Sequence, residues 1–302
     1  FFGAYSCFIA DRPTLSAQRA RPALRDRDGC FGAARTDFHR NLCYRCQMMP
    51  GKSSNNRVLV FVSVMVVSIV GLLLLPPISQ NQNYHDFADQ RTILGIPHFW
   101  NVVSNLPFIA VGAAGLWQCR REPAIAILFL GILTTGFGSG YYHLDPNDRT
   151  LFWDRLPMAI GFMAILAIAI EERLDAKAGA LLLWPLIAVG VVSLLLWRWT
   201  GDLRLYGWVQ FFPCVAVPVL FVLYSPKFSG TSYWLVAAAL YAFAKLFEFY
   251  DGAIYSFGSI LSGHTLKHLA AAASCLAILR YFQTRQPIRA EALPRETMAK
   301  ST

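Results

Sequence analysis

Five side chains in this sequence combine types and spacings suited to hydrolytic chemistry: Ser139, His143, Asp154, His264 and His268. Ser139 and His143 are four residues apart, as are His264 and His268, which puts each pair on one face of a helix. Three imidazoles are the usual ligand set of a catalytic zinc site, with the fourth position left open for water. A carboxylate beside such a centre can act as general base, and a hydroxyl can stabilise a developing oxyanion. Asp154 and Ser139 are the candidates for those two roles. The stretch His264-Thr-Leu-Lys-His268 lacks the Glu of His-Glu-x-x-His, so the base has to come from another helix.

The elements that carry these residues are apolar. The chain of 302 residues is 55% hydrophobic and 15% charged, with a mean hydropathy of +0.41; soluble domains average about 25% charged. The apolar residues fall in blocks of roughly 17–22, about what is needed to cross a ~30 Å hydrocarbon core. They run Val58–Ile78, Phe99–Trp117, Ala124–His143, Leu151–Ile170, Ala180–Trp199, Leu205–Tyr224, Ser232–Tyr250 and Thr265–Phe282. Lipid admits only helices or closed barrels, and barrel strands would alternate in polarity. The expected fold is therefore all-α and multi-pass: a seven-helix core over residues 84–283, preceded by a membrane anchor helix over 57–79. Trp100, Trp117, Trp153, Trp197, Trp199 and Trp234 fall near segment ends, as an aromatic belt would.

Lysine and arginine set the orientation. Arg120, Arg121, Arg173, Lys177, Lys227 and the C-terminal tail fall on one side; Arg91, Arg149, Arg198 and Arg204 fall on the other. The positive-inside rule then places both termini in the cytoplasm. The helix ending at His143 exits on the far side, and the helices carrying Asp154 and His264 enter from there. Five polar groups from three helices thus share one depth near the non-cytoplasmic leaflet. Taken singly, His-x-x-x-His can be a hydrated interfacial pair, Ser139 a packing residue and Asp154 with Arg155 an ion pair. Ionisable groups in a span cost about 2.5–3.5 kcal/mol each on insertion scales, so their joint occurrence favours a metal site.

Other features carry less chemistry. Lys245, Glu248 and Asp251 recur at three-residue spacing and suit an internal salt bridge or support for the site. Residues 1–56 hold eight arginines among Pro, Gly, Ser and Ala and are expected to be a disordered tail, as is the stretch 284–302. Met48-Met49 precedes a short basic stretch and an apolar run, so natural translation is expected to start there. The net charge of +9 reflects these flanks, with ten of 27 basic residues in the first 57 positions, and no nucleic-acid partner is expected. Seven cysteines show no disulfide framework, and Cys43-x-x-Cys46 has no second pair at zinc-finger spacing.

At these residues the chain resembles the alkaline ceramidase family, within a superfamily of seven-helix membrane hydrolases that includes the adiponectin and progestin receptors. The resemblance covers roughly Asp86 to Phe282. It rests on Phe99-Trp100-Asn101-Val102-Val103-Ser104-Asn105, on Ser139-x-x-x-His143 followed by Asp154, and on Gly263-His264-x-x-x-His268. It implies a zinc amidase that splits ceramide, a membrane lipid, into a sphingoid base and a fatty acid. His143, His264 and His268 would hold zinc, Asp154 would activate water, and Ser139 would stabilise the oxyanion. It also implies calcium at Asp86 and Asp89, with a carbonyl from Phe87, although Arg91 and His98 stand where oxygen ligands are expected and an arginine opposes a hard cation. Two other readings stay open: a seven-helix receptor or lipid sensor that keeps the zinc with little turnover, and a transport protein whose polar cluster lines a pathway. The short loops suggest a bacterial inner membrane.

Overall fold

The computed structural model describes residues 52–288. The translation start, the Cys43-x-x-Cys46 pair and the greater part of both expected tails lie outside the described residues. In chain order the elements are α1 (Lys52–Leu74), a 3₁₀ turn (Gln82–His85), α2 (Phe99–Val103), α3 (Leu106–Cys119) and α4 (Pro123–Leu144). There follow α5 (Asp148–Ala169) with a π turn (Ile170–Leu174), α6 (Ala176–Thr200), α7 (Arg204–Leu223), α8 (Thr231–Phe249), α9 (Asp251–Tyr255) and α10 (Gly263–Thr284). Among the described residues the regular structure is helical, apart from two isolated bridges, at Ile93–Ile96 and Phe228–Pro287.

Among the described residues six helices are long and apolar enough to cross a membrane: Asn55–Leu74, Phe99–Cys119, Pro123–Leu144, Asp148–Leu174, Ala176–Thr200 and Arg204–Leu223. The chain is an all-α, multi-pass membrane protein. Helices α8 and α10 match the others in length but carry Lys245 and Glu248, and His264, Lys267 and His268, and these charges and imidazoles lower their apolarity.

Helix boundaries follow local chemistry that hydropathy blurs. The first apolar block extends to Ile78, but its helix ends at Leu74, because Pro76 and Pro77 supply no backbone N–H and restrict the residue before them. At its other end this helix starts at Lys52, so residues 52–56 are helical. Residues 286–288 pair with the 227–229 loop, with Ser229 donating to the Gln286 carbonyl at 2.9 Å and Ile288 to Lys227 at 2.9 Å, so ordered chain continues past 284. The second block is broken into α2 and α3 at Ser104 and Asn105. Pro107 cannot donate to the carbonyl of Val103, four residues back.

Without a hydrophobic drive between helices, membrane packing relies on small residues and buried polar pairs. The α4–α5 contact shows how. Pro157 frees the Trp153 carbonyl from its helical bond, and Gly138 of α4 fills the space against it: a Cβ at 138 would lie 2.2 Å from that oxygen. Gly263 plays the same part where α10 meets α8, a Cβ there lying 2.2 Å from the Phe247 carbonyl. Both glycines sit one residue from a candidate site residue, Ser139 and His264.

Helix α4 packs on α3 and α5, α5 on α6 and α7, and α10 on α8 and α3. Helices α7 and α8 are consecutive but pack mainly on different partners, α7 on α5 and α6 and α8 on α10, and they meet through Phe221–Trp234 and through Gln210, which donates to the Tyr241 hydroxyl at 3.4 Å. At the end away from the candidate residues, buried Glu172 accepts from Tyr281 at 2.5 Å and pairs with Arg285, which also grips Glu122 at 2.6 Å. Trp117, Trp153 and Trp199 are exposed as a belt requires, whereas Trp197 and Trp234 are buried. Trp197 covers a buried cation, and Trp234 packs between Phe221 and Tyr281.

Candidate metal centre and active site

His143 closes the last turn of α4, and His264 and His268 occupy the first two turns of α10. All three are buried, and one ring nitrogen from each lies within 4.8 Å of the others. The Nε2 atoms of His143 and His268 are 3.3 Å apart, and His143 Nδ1 is buried without a partner. Three converging imidazoles, one with an orphaned nitrogen, fit a metal ion better than they fit one another. Among the described residues this is the one group of three or more His, Cys, Asp or Glu side chains so placed.

The start of α10 is fixed twice over. The Ser262 side chain caps the Thr265 N–H, and Asp251 Oδ1 accepts from the His264 N–H at 2.7 Å. The second Asp251 oxygen accepts from Ala88 N at 3.0 Å, tying in the segment before α2. His268 is oriented by Ser104, whose Oγ lies 2.8 Å from Nδ1, leaving Nε2 to face the cluster. Such outer partners fix the tautomer of a ligating histidine, and their loss typically costs about 10–100-fold in metal affinity or activity. Ser104→Ala is therefore expected to weaken metal affinity by about that factor, measured as metal retained against a graded chelator. Ser104 belonged to the recognised Phe-Trp-Asn stretch, but its role escaped sequence reasoning. The signal was Pro107, whose helix break presents Ser104 to α10.

Asp154 and Ser139 are buried and face one another across the α4–α5 contact that Gly138 permits. The charges that act on Asp154 come from Lys267, Arg155 and Glu248. Lys267, also missed in the sequence, sits inside the His-x-x-x-His stretch. Its Nζ lies 2.6 Å from Glu248 Oε1 and 3.5 Å from His264 Nε2. Lys245 pairs with the other Glu248 oxygen, and Tyr84 donates to Oε1 at 3.2 Å. The Lys245–Glu248 spacing thus forms the internal pair, while Asp251 serves as a cap.

The segment from Gln82 to His98 straps across this end of the bundle. His85 bridges the Tyr142 hydroxyl (2.9 Å) and Asp148 (3.1 Å). Phe87 is buried with its ring 4.6 Å from His143 and 4.5 Å from His264, centroid to centroid, so its contribution here is an apolar cover. Asp86 is exposed. Asp89 is buried, and both its oxygens accept from the Arg91 guanidinium, at 2.8 and 2.6 Å. Burial raises the Asp89 carboxyl, but the Arg91 guanidinium and backbone N–H together hold it below the usual range. Asp89 is thus engaged by an arginine.

Residues 93–245 match the family model described as Ceramidase. The chain belongs to the ceramidase family. The match takes in Ser139, His143 and Asp154 and stops short of His264 and His268, which the fold of this ceramidase-family chain brings to His143. No curated protein matches the chain.

Proposed function

We propose that this chain is a zinc-dependent amidase that hydrolyses ceramide-like N-acyl lipids within the membrane, yielding a sphingoid base and a fatty acid. The observation that carries this is the meeting of three buried imidazoles with a buried Asp–Ser pair, at one end of a membrane bundle, in a ceramidase-family chain. His143, His264 and His268 would hold the ion. Bound there, zinc would supply Lewis acidity and bring the pKa of water to about 7.

The chain's own residues account for the rest. Asp154 takes the proton of the attacking water at a carboxylate oxygen and returns it to the departing amine nitrogen. The Ser139 hydroxyl donates to the amide oxygen as charge develops there, an interaction stronger in the transition state than in the bound substrate. Phe87, over His143 and His264, excludes bulk water from the aqueous side. In this reading the site faces the non-cytoplasmic side of a bacterial inner membrane, with Arg120, Arg121, Lys177 and Lys227 at the cytoplasmic end.

The test is release of fatty acid from ceramides of varied chain length by purified protein in nanodiscs. Turnover should vanish on chelation and return with zinc. A zinc-loaded, monodisperse preparation that releases nothing from any chain length would leave the chain a sensor rather than an enzyme.

A further inference from the structure

The connections at the site's end of the bundle are of two kinds. Those joining α4 to α5 and α6 to α7 carry charge: Asp145 and Arg149 are exposed, and Asp202 pairs with Arg204 at 2.8 Å. The turn before α2, from Thr92 to Pro97, has no charged side chain, and neither has the stretch from Gly252 to Ser262 that leads into α10. A connection bathed in water is ordinarily polar.

The apolar side chains of these two stretches do not fold inward. Leu94 is 88% exposed, Phe257 95% and Ile260 71%. Leu94 is also held against its backbone preference. It has φ 51° and Gly95 φ 78°, in a two-residue turn closed by reciprocal bonds between Ile93 and Ile96 at 3.1 and 3.0 Å. Turns with two central residues at positive φ favour Asn, Asp or Gly. A leucine there is strained, and at such exposure packing within the protein does little to offset the strain.

One arginine ties the two stretches into a single rim. Arg91 donates to the Ile260 carbonyl at 2.7 Å and to Asp89, and its guanidinium carbon lies 5.4 Å from the ring centre of Tyr255. Its stem can lie along apolar surface while its charge stays at head-group level. The rim also follows directly on a lipid-facing helix end, because Leu246, Phe249 and Tyr250 are exposed at the close of α8. Exposed apolar patches rimmed by polar groups mark interaction surfaces, and on a multi-pass membrane protein the bilayer adjoins this one.

We propose that this rim, the Leu94 turn together with the 252–262 loop, is embedded in the leaflet on the site's side. Leu94, Phe257 and Ile260 then lie among acyl chains, while the charged α4–α5 and α6–α7 connections stand in water. The start of α10, with His264 four residues beyond Ile260, is thereby held at the depth where a sphingolipid carries its amide. That role at the site rests on the amidase reading above; the contact with lipid does not.

The test reads depth directly, in phosphatidylcholine vesicles. In a background whose seven cysteines are replaced by alanine, a nitroxide is attached in turn at Leu94→Cys and Phe257→Cys. Arg149→Cys, in a charged connection, is the control. Labels at 94 and 257 should be relaxed more by oxygen, which concentrates among acyl chains, than by a water-soluble nickel chelate, and the label at 149 the reverse. Labels at 94 and 257 that follow the pattern at 149 overturn the proposal. So does spin–spin broadening at either position that disappears on dilution with unlabelled protein, since a second copy would then cover the rim. A second readout keeps the native cysteines. Leu94→Asp combined with Phe257→Asp should slow release of fatty acid from vesicle-embedded ceramide by about tenfold, the equivalent of burying one apolar side chain. Zinc content and turnover of a short-chain ceramide dispersed in detergent should not change. Equal loss on both substrates, or loss on neither, overturns the role at the site. Leaflet-embedded labels on a protein that cleaves no amide sustain the lipid surface and end the amidase reading.

Discussion

Protein carrying His268→Ala is expected to purify with unchanged helix content, to retain almost no zinc where the parent holds about one per chain, and to hydrolyse no lipid amide above background. In the proposed site His268 is the ligand whose removal should do most. It approaches His143 Nε2 to Nε2 at 3.3 Å, and Ser104 on its far side fixes its ring. Two ligands remaining on different helices do not make a closed catalytic site. The Lewis acidity lost is worth several kcal/mol in the transition state, which is about a thousandfold or more in rate. The fold should survive, because the Ser104 hydroxyl keeps its bond to the Asn101 carbonyl at 3.2 Å when the imidazole is gone. Metal analysis and circular dichroism on the same sample separate loss of zinc from loss of structure. Full zinc content in this variant would place the metal elsewhere and remove the three-histidine site from the mechanism.

The parts of this protein that were legible in the sequence are those that depend on composition along one helix. The apolar blocks gave the spans to within a few residues, and matched depth brought Ser139, His143, Asp154, His264 and His268 to one end. What escaped depends on how helices turn toward one another. Ser104 reaches His268 only because Pro107 breaks the helix around it, and hydropathy registers that block as continuous. Lys267 has the hydropathy of a lysine at a helix mouth; its burial beside Glu248 is set by the rotation of α10 against α8. The strap from Gln82 to His98 has no periodicity to read. Its contacts, Phe87 on two histidines and Tyr84 between Glu248 and Arg155, are made with residues far away in the chain. Trp197 illustrates the same limit: at a helix end it resembles a belt residue, yet it turns inward onto Arg155.

Asp154→Asn is expected to leave zinc bound and the fold intact while turnover falls by about 10²–10⁴-fold, the range for losing a general acid–base group. The substitution is nearly isosteric, and Asp154 is not among the three metal-holding residues, so content should stay near that of the parent. Its amide can still meet Ser139 but can neither accept the proton of water nor return one to the amine. The loss should therefore appear in kcat, with KM little changed, because the carboxylate acts in the transition state rather than in holding the acyl chains. The contrast with His268→Ala decides what Asp154 does: both variants are inactive, but only one is empty of metal. Equal loss of zinc in both would make Asp154 a support for the metal centre, whereas zinc-replete Asp154→Asn with near-normal kcat would pass the proton transfer to another group. Lys267, paired with Glu248 at 2.6 Å and 3.5 Å from His264, is the first candidate for that group.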